Sequence, residues 1–273
     1  MVKIFFYTYT NAVYTIKINM KLFYPKVSGV ERLRNMGFKE IGDYVSVSKN
    51  TLSYYLNVLE KKLDLIERIV PATETLEKSK KGRYIIKDNF FRFWFKFVFP
   101  DLSMLELENT KPVAMQIKKE VSAFIGVAFE GVVRELVIDA NKYDLPVANF
   151  NLPLFRRIGS WWDRKGNEID ICAVSYDKSE ILFGEVKWRT KKTDVSEVMK
   201  LINKTTLIPW NGKKTLMFVS KAGFTKDAEK VIRENGVMGI DLKDINEFYD
   251  KLQKIDIDRL RVFLMYPNIL QKG

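Results

Sequence analysis

Two short segments in the second half of the chain constrain its fold more than any other feature. One follows a Gly-Asn turn and places Asp170 between the apolar residues Ile169 and Ile171. The other places Glu185 and Lys187 two positions apart in an apolar run. Alternation with a period of two is typical of a β-strand with one buried face, so each segment is predicted to be a strand. If the two strands pair, Asp170, Glu185 and Lys187 meet on one face of a sheet.

These three side chains point to one kind of chemistry. Two carboxylates held close together repel each other unless a cation lies between them. Mg²⁺ suits such a site, because it binds one or two carboxylates and several water molecules. A lysine beside the ion can orient a water molecule and stabilise charge on a phosphate. These groups are the ones that phosphodiester hydrolysis needs. Glu168 shares the face of Asp170 and is the second choice as a ligand, because it lies nearer the turn.

The residues that the chain lacks exclude other reactions. There is no histidine, which excludes Ser-His-Asp and Cys-His catalysis and any histidine-bound zinc or iron. The one cysteine, Cys172, lies in a predicted strand and is interpreted as a small buried apolar residue. A single cysteine can form neither an intramolecular disulfide nor a zinc ribbon. The Gly-Lys-Lys-Thr segment at 212–215 lacks the upstream glycine and the strand of a phosphate-binding loop.

The charge of the chain is uneven. Its 273 residues, enough for two domains or one large one, carry a net charge of +12. Residues 1–100 contain 18 Lys and Arg against 9 Asp and Glu, whereas the remaining residues contain 28 against 25. A basic N-terminal part favours a polyanionic partner. The alternative is a lysine-rich solvated surface of the kind found in proteins from thermophiles.

No segment has the pattern of a membrane span or a signal peptide. The most apolar stretch, residues 89–100, is too short to cross a bilayer and contains Arg92 and Lys96. Residues 1–25 lack a continuous apolar core and a small-residue cleavage site. We therefore expect a cytoplasmic protein with no membrane partner.

Residues 38–62 have the pattern of a helix-turn-helix. A short helix over 38–45 is followed by a break and by a longer helix that Ser48 caps and that extends to residue 62. The longer helix has an apolar face formed by Leu52, Leu56, Leu59 and Leu63. Its polar face is formed by Lys49, Asn50, Ser53, Tyr54 and Asn57. This arrangement indicates a DNA-binding unit in which Lys49, Asn50 and Tyr54 enter the major groove.

A β-hairpin is predicted to follow these helices. Residues 65–70 form its first strand and residues 83–86 its second. The turn between them is basic, and its cations are Lys78, Lys80, Lys81 and Arg83. We expect Lys80, Lys81 and Arg83 to contact DNA phosphates, as the wing of a winged helix does. The alternative is a winged-helix module that makes only protein contacts.

An aromatic run occupies residues 90–99. Stacking of nucleic-acid bases on these rings is one interpretation. Four of the rings have the spacing of one helix face: Phe90, Phe93, Trp94 and Phe97. We therefore expect them to lie in the core or at a seam between domains.

The rest of the chain has an α/β pattern. A helix over 113–139 carries Glu130 beside its apolar face, which consists of Phe129, Val133, Leu136, Val137 and Ala140. Three strands are then predicted at 158–163, 168–174 and 181–188. The remaining elements are a helix at 195–205, a strand at 215–220, a helix at 225–235 and a strand at 237–242. This order predicts a mixed sheet with helices on both faces.

The order of the charged residues on these elements resembles that of the PD-(D/E)xK nuclease superfamily, which has the restriction-endonuclease-like fold. Glu130 lies on the helix, Asp170 on the second strand and the Glu185-Val-Lys187 motif on the third. The resemblance implies that Glu130, Asp170 and Glu185 bind Mg²⁺ or Mn²⁺ and that Lys187 assists the attacking water. Ile169 stands where most members have proline, a change that is common in resolvase-like members.

Three longer segments resemble a second group of proteins. Segments 48–56, 83–95 and 166–170 are similar to the C-terminal half of the archaeal AAA-type ATPases, in which a winged helix and a nuclease-like domain follow a P-loop domain. The resemblance extends from Phe38 to the C-terminus, and residues 1–25 replace the ATPase domain. It implies a truncated or split member of that group, or one that works with a separate AAA-type ATPase.

Together these patterns predict an α/β chain in three parts. Residues 1–25 are unassigned, residues 26–100 form a winged helix-turn-helix domain with the aromatic helix, and residues 101–273 form a nuclease-like domain with a restriction-endonuclease-like mixed sheet flanked by helices. The expected function is that of a Mg²⁺-dependent DNA endonuclease. Its expected partners are DNA, a separate AAA-type ATPase and a second copy of the chain in a homodimer. The alternative is a non-catalytic DNA-binding or regulatory protein that keeps a vestigial nuclease fold.

Overall fold

The structure, a computed structural model, describes residues 36–206 and 208–265. The predicted segment 1–25 and residues 26–35 lie outside the described residues. The chain divides into two compact units between Val121 and Ser122, whereas the boundary predicted from the sequence is at residue 100. None of the described helices combines the length and the apolar character that crossing a bilayer requires.

Two helices joined by a tight turn begin the described part of the first unit. Helix α1 (Phe38–Val45) ends at Ser46, which adopts a left-handed backbone conformation with φ of 54°. Helix α2 (Lys49–Asn57) starts at Ser48, whose side-chain oxygen accepts a hydrogen bond from the Thr51 backbone N–H at 3.2 Å. Such an N-cap satisfies a donor that the helix itself leaves unpaired. A π-helical turn (Val58–Lys62) continues α2, so the two predicted helices are found at the predicted positions.

A small antiparallel sheet completes the core of this unit. Strands β1 (Met36–Gly37), β2 (Ile66–Ile69) and β3 (Arg83–Ile86) pair in the order β1-β3-β2. The two predicted hairpin strands are therefore present and antiparallel. The buried side chains of the core come from both helices and from the aromatic segment, and they are Ile41, Val45, Leu52, Leu56, Leu59 and Phe95.

The aromatic run is helical, but its buried face differs from the predicted one. After α3 (Asn89–Phe93) the backbone widens into a π-helical turn (Trp94–Val98) and then tightens into a 3₁₀ turn (Phe99–Asp101). Phe95 and Phe97 are buried, whereas Phe90 is half exposed. A spacing of 3.6 residues per turn no longer holds across a π-helical turn. For that reason Phe90 was wrongly predicted to be buried, and Phe95 was missed. A short helix, α4 (Leu102–Glu106), follows.

The second unit contains a five-stranded mixed sheet flanked by helices. Helix α5 (Thr110–Tyr143) precedes the three strands of a meander, β4 (Phe155–Trp162), β5 (Glu168–Ser175) and β6 (Glu180–Lys187). Then follow α6 (Val195–Thr206), β7 (Lys213–Ser220), α7 (Lys226–Glu234), β8 (Val237–Ile240) and α8 (Leu242–Met265). The sheet order is β4-β5-β6-β7-β8. The first two pairings are antiparallel and the last two are parallel, because helices connect the last three strands.

Helices α5 and α8 cover one face of this sheet. Their buried side chains form one continuous core with alternate residues of the strands, including Ile171 and Ala173 of β5 and Leu182 and Val186 of β6. The α5 residues in this core are Phe129, Val133, Leu136, Val137 and Ala140. The apolar face predicted for this helix is therefore the buried one.

The opposite face carries the residues that alternate with this core. Val198 and Leu201 of α6 are buried there, and α7 packs against β8. Phe218 of β7 contacts the ring of Phe224, with 5.9 Å between the ring centroids. Cys172 is fully buried, as predicted, and burial raises the pKa of its thiol to about 12. Because successive side chains of a strand point to opposite faces, the acidic residues of β5 and β6 project on this side.

The turn between β4 and β5 is built around one carboxylate. Asp163 accepts hydrogen bonds from the backbone N–H groups of Lys165 at 2.8 Å and Asn167 at 3.0 Å. Gly166 has a φ of +89° in this turn, a conformation that glycine adopts without steric cost. A turn of defined length sets the register of the hairpin, and so decides which face of β5 carries Asp170.

Candidate functional site

Strand pairing brings Asp170 and Glu185 together. Strands β5 and β6 are antiparallel, and Ile171 pairs with Gly184. The next residue toward this end of each strand is Asp170 on β5 and Glu185 on β6, so the two residues are neighbours on one face, close enough for the charge of Glu185 to raise the pKa of Asp170. The strands approach closely at the preceding pair, because a Cβ atom on Gly184 would lie 2.9 Å from Cβ of Ile171. A residue with a side chain would clash at position 184, next to Glu185, and glycine fits there.

Asp170 is held in surroundings that disfavour its charge. Its Oδ2 atom accepts a hydrogen bond from the Val186 backbone N–H at 2.9 Å. Burial raises the pKa of Asp170 to about 7, and the negative charges of Glu185 and Glu130 add to this effect. A carboxyl group in this situation releases its proton readily only when positive charge is brought to it.

Glu185 is held by two lysines. The Lys187 ammonium lies 2.5 Å from Oε1 and the Lys204 ammonium 2.8 Å from Oε2. The Glu185 side chain is only 13% exposed. Burial alone would raise its pKa, but the charges and hydrogen bonds of Lys187 and Lys204 outweigh burial and hold the pKa of Glu185 below its usual range. Glu185 is therefore ionised at neutral pH.

Lys204 is the residue of this cluster that sequence reasoning missed. It belongs to α6, and it lies 19 residues beyond Glu185 in the chain. The only local signal is its place beside Thr205, which is buried on the inner face of that helix. Nothing in the spacing of charged residues indicates that this lysine, rather than Lys200 one turn earlier, reaches the sheet.

Glu130 acts on the pair through its charge. It is half-buried on α5, next to the buried Phe129, and its charge contributes to the raised pKa of Asp170. Within residues 36–206 and 208–265, no three Asp, Glu or Cys side chains come together as a group that could hold a metal ion. In the described part of the chain, Glu130 is thus not part of a three-carboxylate group with Asp170 and Glu185. Glu168, the second choice as a ligand, is exposed at the start of β5.

The donor set fits a hard divalent cation. Asp170 and Glu185 offer carboxylate oxygens, and Mg²⁺ commonly takes one or two carboxylates and fills its remaining positions with water. Burial outweighs the positive charge of Lys187 at Asp170 and keeps its pKa raised, whereas Glu185 obtains positive charge from two ammonium groups that contact it directly. The residues present therefore fit an ion held by two carboxylates, and the lysines supply positive charge in its place.

A further cation and an indole ring lie at the carboxyl end of β6. The Lys221 ammonium lies 4.2 Å from the ring centroid of Trp188, within the range of a cation–π interaction. The Trp188 ring also contacts Phe129 of α5, with 5.0 Å between ring centroids. The Lys221 backbone N–H donates a hydrogen bond to the Lys187 carbonyl at 3.0 Å. These contacts fasten the strand end that carries Lys187.

The residues predicted to enter a DNA groove lie together on α2. Lys49, Asn50 and Tyr54 are exposed, and Tyr54 retains 62% of its accessible surface. Leu52 and Leu56 face the core from the other side of the same helix. The amphipathic pattern has thus oriented the helix as predicted, with its polar face toward solvent.

The predicted wing cations differ in their surroundings. Lys80 is exposed, Arg83 is half-buried in β3, and the Lys81 ammonium contacts the Glu74 carboxylate at 2.5 Å. Arg68 of β2 holds the turn by donating hydrogen bonds to the carbonyls of Leu76 at 2.7 Å and Ser79 at 3.0 Å. Of the three cations, Lys80 is the most accessible to a phosphate, and Lys81 would have to leave Glu74.

Comparison with known proteins finds relatives of unknown function. A family model described as archaea bacterial proteins of unknown function (DUF234) matches residues 94–198, a segment that contains Glu130, Asp170, Glu185 and Lys187. The uncharacterized protein MJECL04 of Methanocaldococcus jannaschii is 38% identical over 189 residues, which are 68% of this chain and 40% of that relative. The chain thus spans less than half of the relative's length. No solved structure matches the chain.

Proposed function

We propose that the protein is a metal-dependent DNA endonuclease with a winged-helix DNA-binding module. The observation that carries the proposal is the position of Asp170 and Glu185 on adjacent antiparallel strands, each one residue beyond the Ile171–Gly184 pair, with Lys187 bound to Glu185. Two carboxylates and a lysine in this arrangement suit phosphodiester hydrolysis with Mg²⁺ or Mn²⁺. The mixed sheet flanked by helices is compatible with the restriction-endonuclease-like fold that the sequence resembles.

Each residue of the site has a role in this proposal. Asp170 and Glu185 would hold the ion through their carboxylate oxygens, and Glu130 adds negative charge nearby. When bound, the ion supplies positive charge that offsets the charge of the phosphate and lowers the pKa of a water molecule. Lys187 donates hydrogen bonds to the attacking water or to a phosphate oxygen, since its ammonium already lies at the acidic pair.

DNA binding is assigned to the first unit. Its polar helix face presents Lys49, Asn50 and Tyr54, and the turn before β3 presents Lys80. The excess of basic over acidic residues in positions 1–100 supports a polyanionic partner. A separate AAA-type ATPase and a homodimeric partner are further proposals, which come from the resemblance to the archaeal ATPases.

A second function is favoured by one observation. The two ammonium groups on Glu185 already neutralise that carboxylate, and no third acidic residue completes a metal-binding group in the described part of the chain. A polar cluster that is satisfied internally can also be a structural remnant of a nuclease. In that case the protein is a non-catalytic DNA-binding or regulatory protein.

A cleavage assay separates the two functions. With Mg²⁺ or Mn²⁺ the wild-type protein should nick or cut duplex, single-stranded or branched DNA, and with Ca²⁺ it should not. Asp170→Asn and Lys187→Ala should each lower cleavage by at least roughly a hundredfold, because the first removes a charged ligand of the ion and the second removes the ammonium group assigned to the attacking water or the phosphate. Both variants should bind DNA as wild type does, since the proposed DNA contacts belong to the other unit.

Matched controls exclude general damage to the protein. Glu229→Gln and Lys200→Ala change exposed residues of α7 and α6 and should leave cleavage unchanged. If the pure wild-type protein cuts none of these substrates, or if Asp170→Asn cuts as fast as wild type, the nuclease proposal fails. The binding function would then be the one supported.

A further inference from the structure

We propose that Lys204 is an internal counter-cation that occupies Glu185 in the metal-free protein and transfers to a phosphate oxygen of the substrate when a divalent cation binds. The inference rests on the proposed nuclease function. Its basis is the 2.8 Å contact between the Lys204 ammonium and Oε2 of Glu185, while Lys187 holds Oε1 of the same carboxylate. One carboxylate thus has both of its oxygens covered by cations.

A further cation can bind at this site only if one of the two lysine ammonium groups moves away from Glu185. Glu185 is largely buried, and the Lys204 side chain is 28% exposed. A divalent ion placed on Glu185 and Asp170 would lie beside two ammonium groups. Like charges a few ångström apart repel strongly where burial lowers the effective dielectric constant. One of the two lysines must therefore leave Glu185 when the ion arrives.

The two lysines are not equally free to leave. Lys187 is rooted on β6, where it pairs with Ser220 of β7 and lies two residues from Glu185 on the same face of the strand. Lys204 reaches Glu185 from the last turn of α6, through a long side chain that belongs to another element. Lys187 also lies close enough to Asp170 for its charge to lower the pKa of that carboxyl group, so Lys187 has a second acidic partner at the site. Lys204 is therefore the lysine that moves.

Lys204 is not required to complete the end of its own helix. The carbonyl group of Thr205, in the last turn of α6, and that of Ile208, two residues after the helix, accept hydrogen bonds from the Lys214 ammonium at 2.9 and 2.8 Å. Lysines in the last turn of a helix commonly bind such carbonyls. Here another lysine has this role, and the Lys204 ammonium is directed to the acidic pair instead. Once displaced, it lies beside the place where a phosphate would bind.

The test measures metal binding and cleavage separately. In Lys204→Met, the affinity for Mn²⁺ without DNA should rise roughly tenfold, because a competing positive charge is gone. The rate of cleavage at saturating Mn²⁺ and DNA should fall at least roughly tenfold, because the ammonium group that donates a hydrogen bond to the phosphate is gone. Lys204→Arg keeps the charge and should bind Mn²⁺ as wild type does, with partial cleavage. Lys200→Met, one turn earlier on the exposed side of α6, should change neither quantity.

The outcomes distinguish the inference from the function on which it rests. The counter-cation role is overturned if Lys204→Met binds Mn²⁺ no more tightly than wild type does. It is also overturned if neither wild type nor any of the variants binds Mn²⁺. Tighter Mn²⁺ binding with unchanged cleavage overturns the transfer to phosphate. If wild type binds Mn²⁺ but cuts no DNA, the nuclease function fails, and the transfer of Lys204 to a phosphate oxygen fails with it. In that case, tighter Mn²⁺ binding by Lys204→Met still supports the counter-cation role of Lys204. Should Lys204→Met not fold, Lys204→Gln replaces it.

Discussion

Asp170 is a carboxyl group whose surroundings favour the protonated form. Burial and the charges of Glu185 and Glu130 raise its pKa to about 7, whereas the pKa of an aspartate in an unfolded chain is about 3.9. The folded protein therefore holds this proton more tightly than the unfolded chain does. The stability that this provides is complete below pH 4 and is lost as the pH rises through 7.

Asp170→Asn should abolish this dependence in the metal-free protein. The variant has no proton to lose at this position, and its side-chain oxygen can still accept the Val186 hydrogen bond. Between pH 5 and pH 8 the wild-type free energy of unfolding should fall by about 2.5 kcal/mol relative to that of the variant. Urea unfolding at several pH values in the presence of EDTA measures this difference. Glu229→Gln should follow the wild-type curve, and a variant curve parallel to wild type would contradict the assignment.

At the scale of single elements, β6 is the strand on which the site depends. It is the central strand of the sheet, antiparallel to β5 and parallel to β7. It carries Glu185 and Lys187, and Gly184 directly before them permits close approach to β5. The precision of the acidic pair therefore depends on the spacing of these two strands.

Gly184→Ala should destabilise the protein by about 1–3 kcal/mol, because the added methyl group would lie 2.8 Å from Cε of Met217 and 2.9 Å from Cβ of Ile171. Thermal and urea unfolding measure the loss. Gly131→Ala on α5 is the matched control, since its added Cβ meets no atom within 4 Å. Alanine is the better helix former, so this control should stabilise the protein by about 0.5–1 kcal/mol. Equal effects of the two substitutions would contradict the close approach of β5 and β6.

The turn before β3 gives a second prediction at this scale. Lys80→Ala should weaken DNA binding and lower the salt dependence of log K by about one unit, as expected for one lost phosphate contact. Lys81→Ala should have the smaller effect, because the Lys81 ammonium contacts Glu74 at 2.5 Å in the free protein. Titrations of fluorescent DNA at several salt concentrations measure the slopes. An unchanged slope in Lys80→Ala would show that this turn does not contact DNA.

For the whole molecule, the division into two compact units places the proposed DNA contacts and the proposed reaction in different units. The proposed DNA contacts at Asn50, Tyr54 and Lys80 belong to the first unit, and Asp170, Glu185 and Lys187 belong to the second. If DNA is the partner, we expect the basic excess in residues 1–100 to add a long-range attraction that salt screens.

This separation predicts two classes of kinetic effect. Replacing Asn50 and Lys80 together by Ala should raise the KM for DNA and leave kcat within about twofold of wild type. The lost contacts stabilise the bound substrate and the transition state equally. Lys187→Ala should lower kcat and leave KM nearly unchanged, because its contact is made at the reacting phosphate. Steady-state cleavage over a range of DNA concentrations distinguishes the two. A fall in kcat for the Asn50 and Lys80 variant would contradict the separation.

The amino-acid sequence by itself determined most elements of this protein and the pairing of Asp170 with Glu185. Helix caps such as Ser48, the Gly166 turn and the alternation in β5 and β6 act over a few residues, so they can be recognised without the fold. The aromatic segment was the exception, because its spacing does not disclose the π-helical turn that brings Phe95 into the core. Only the tertiary structure decided the electrostatics of the site. The contact of Lys204 with Glu185 requires α6 to pack on the sheet, and the raised pKa of Asp170 requires burial together with charges from α5 and β6. The Lys204 contact and the raised pKa both depend on distances between residues that are far apart in the chain. Patterns of neighbouring residues do not predict such distances.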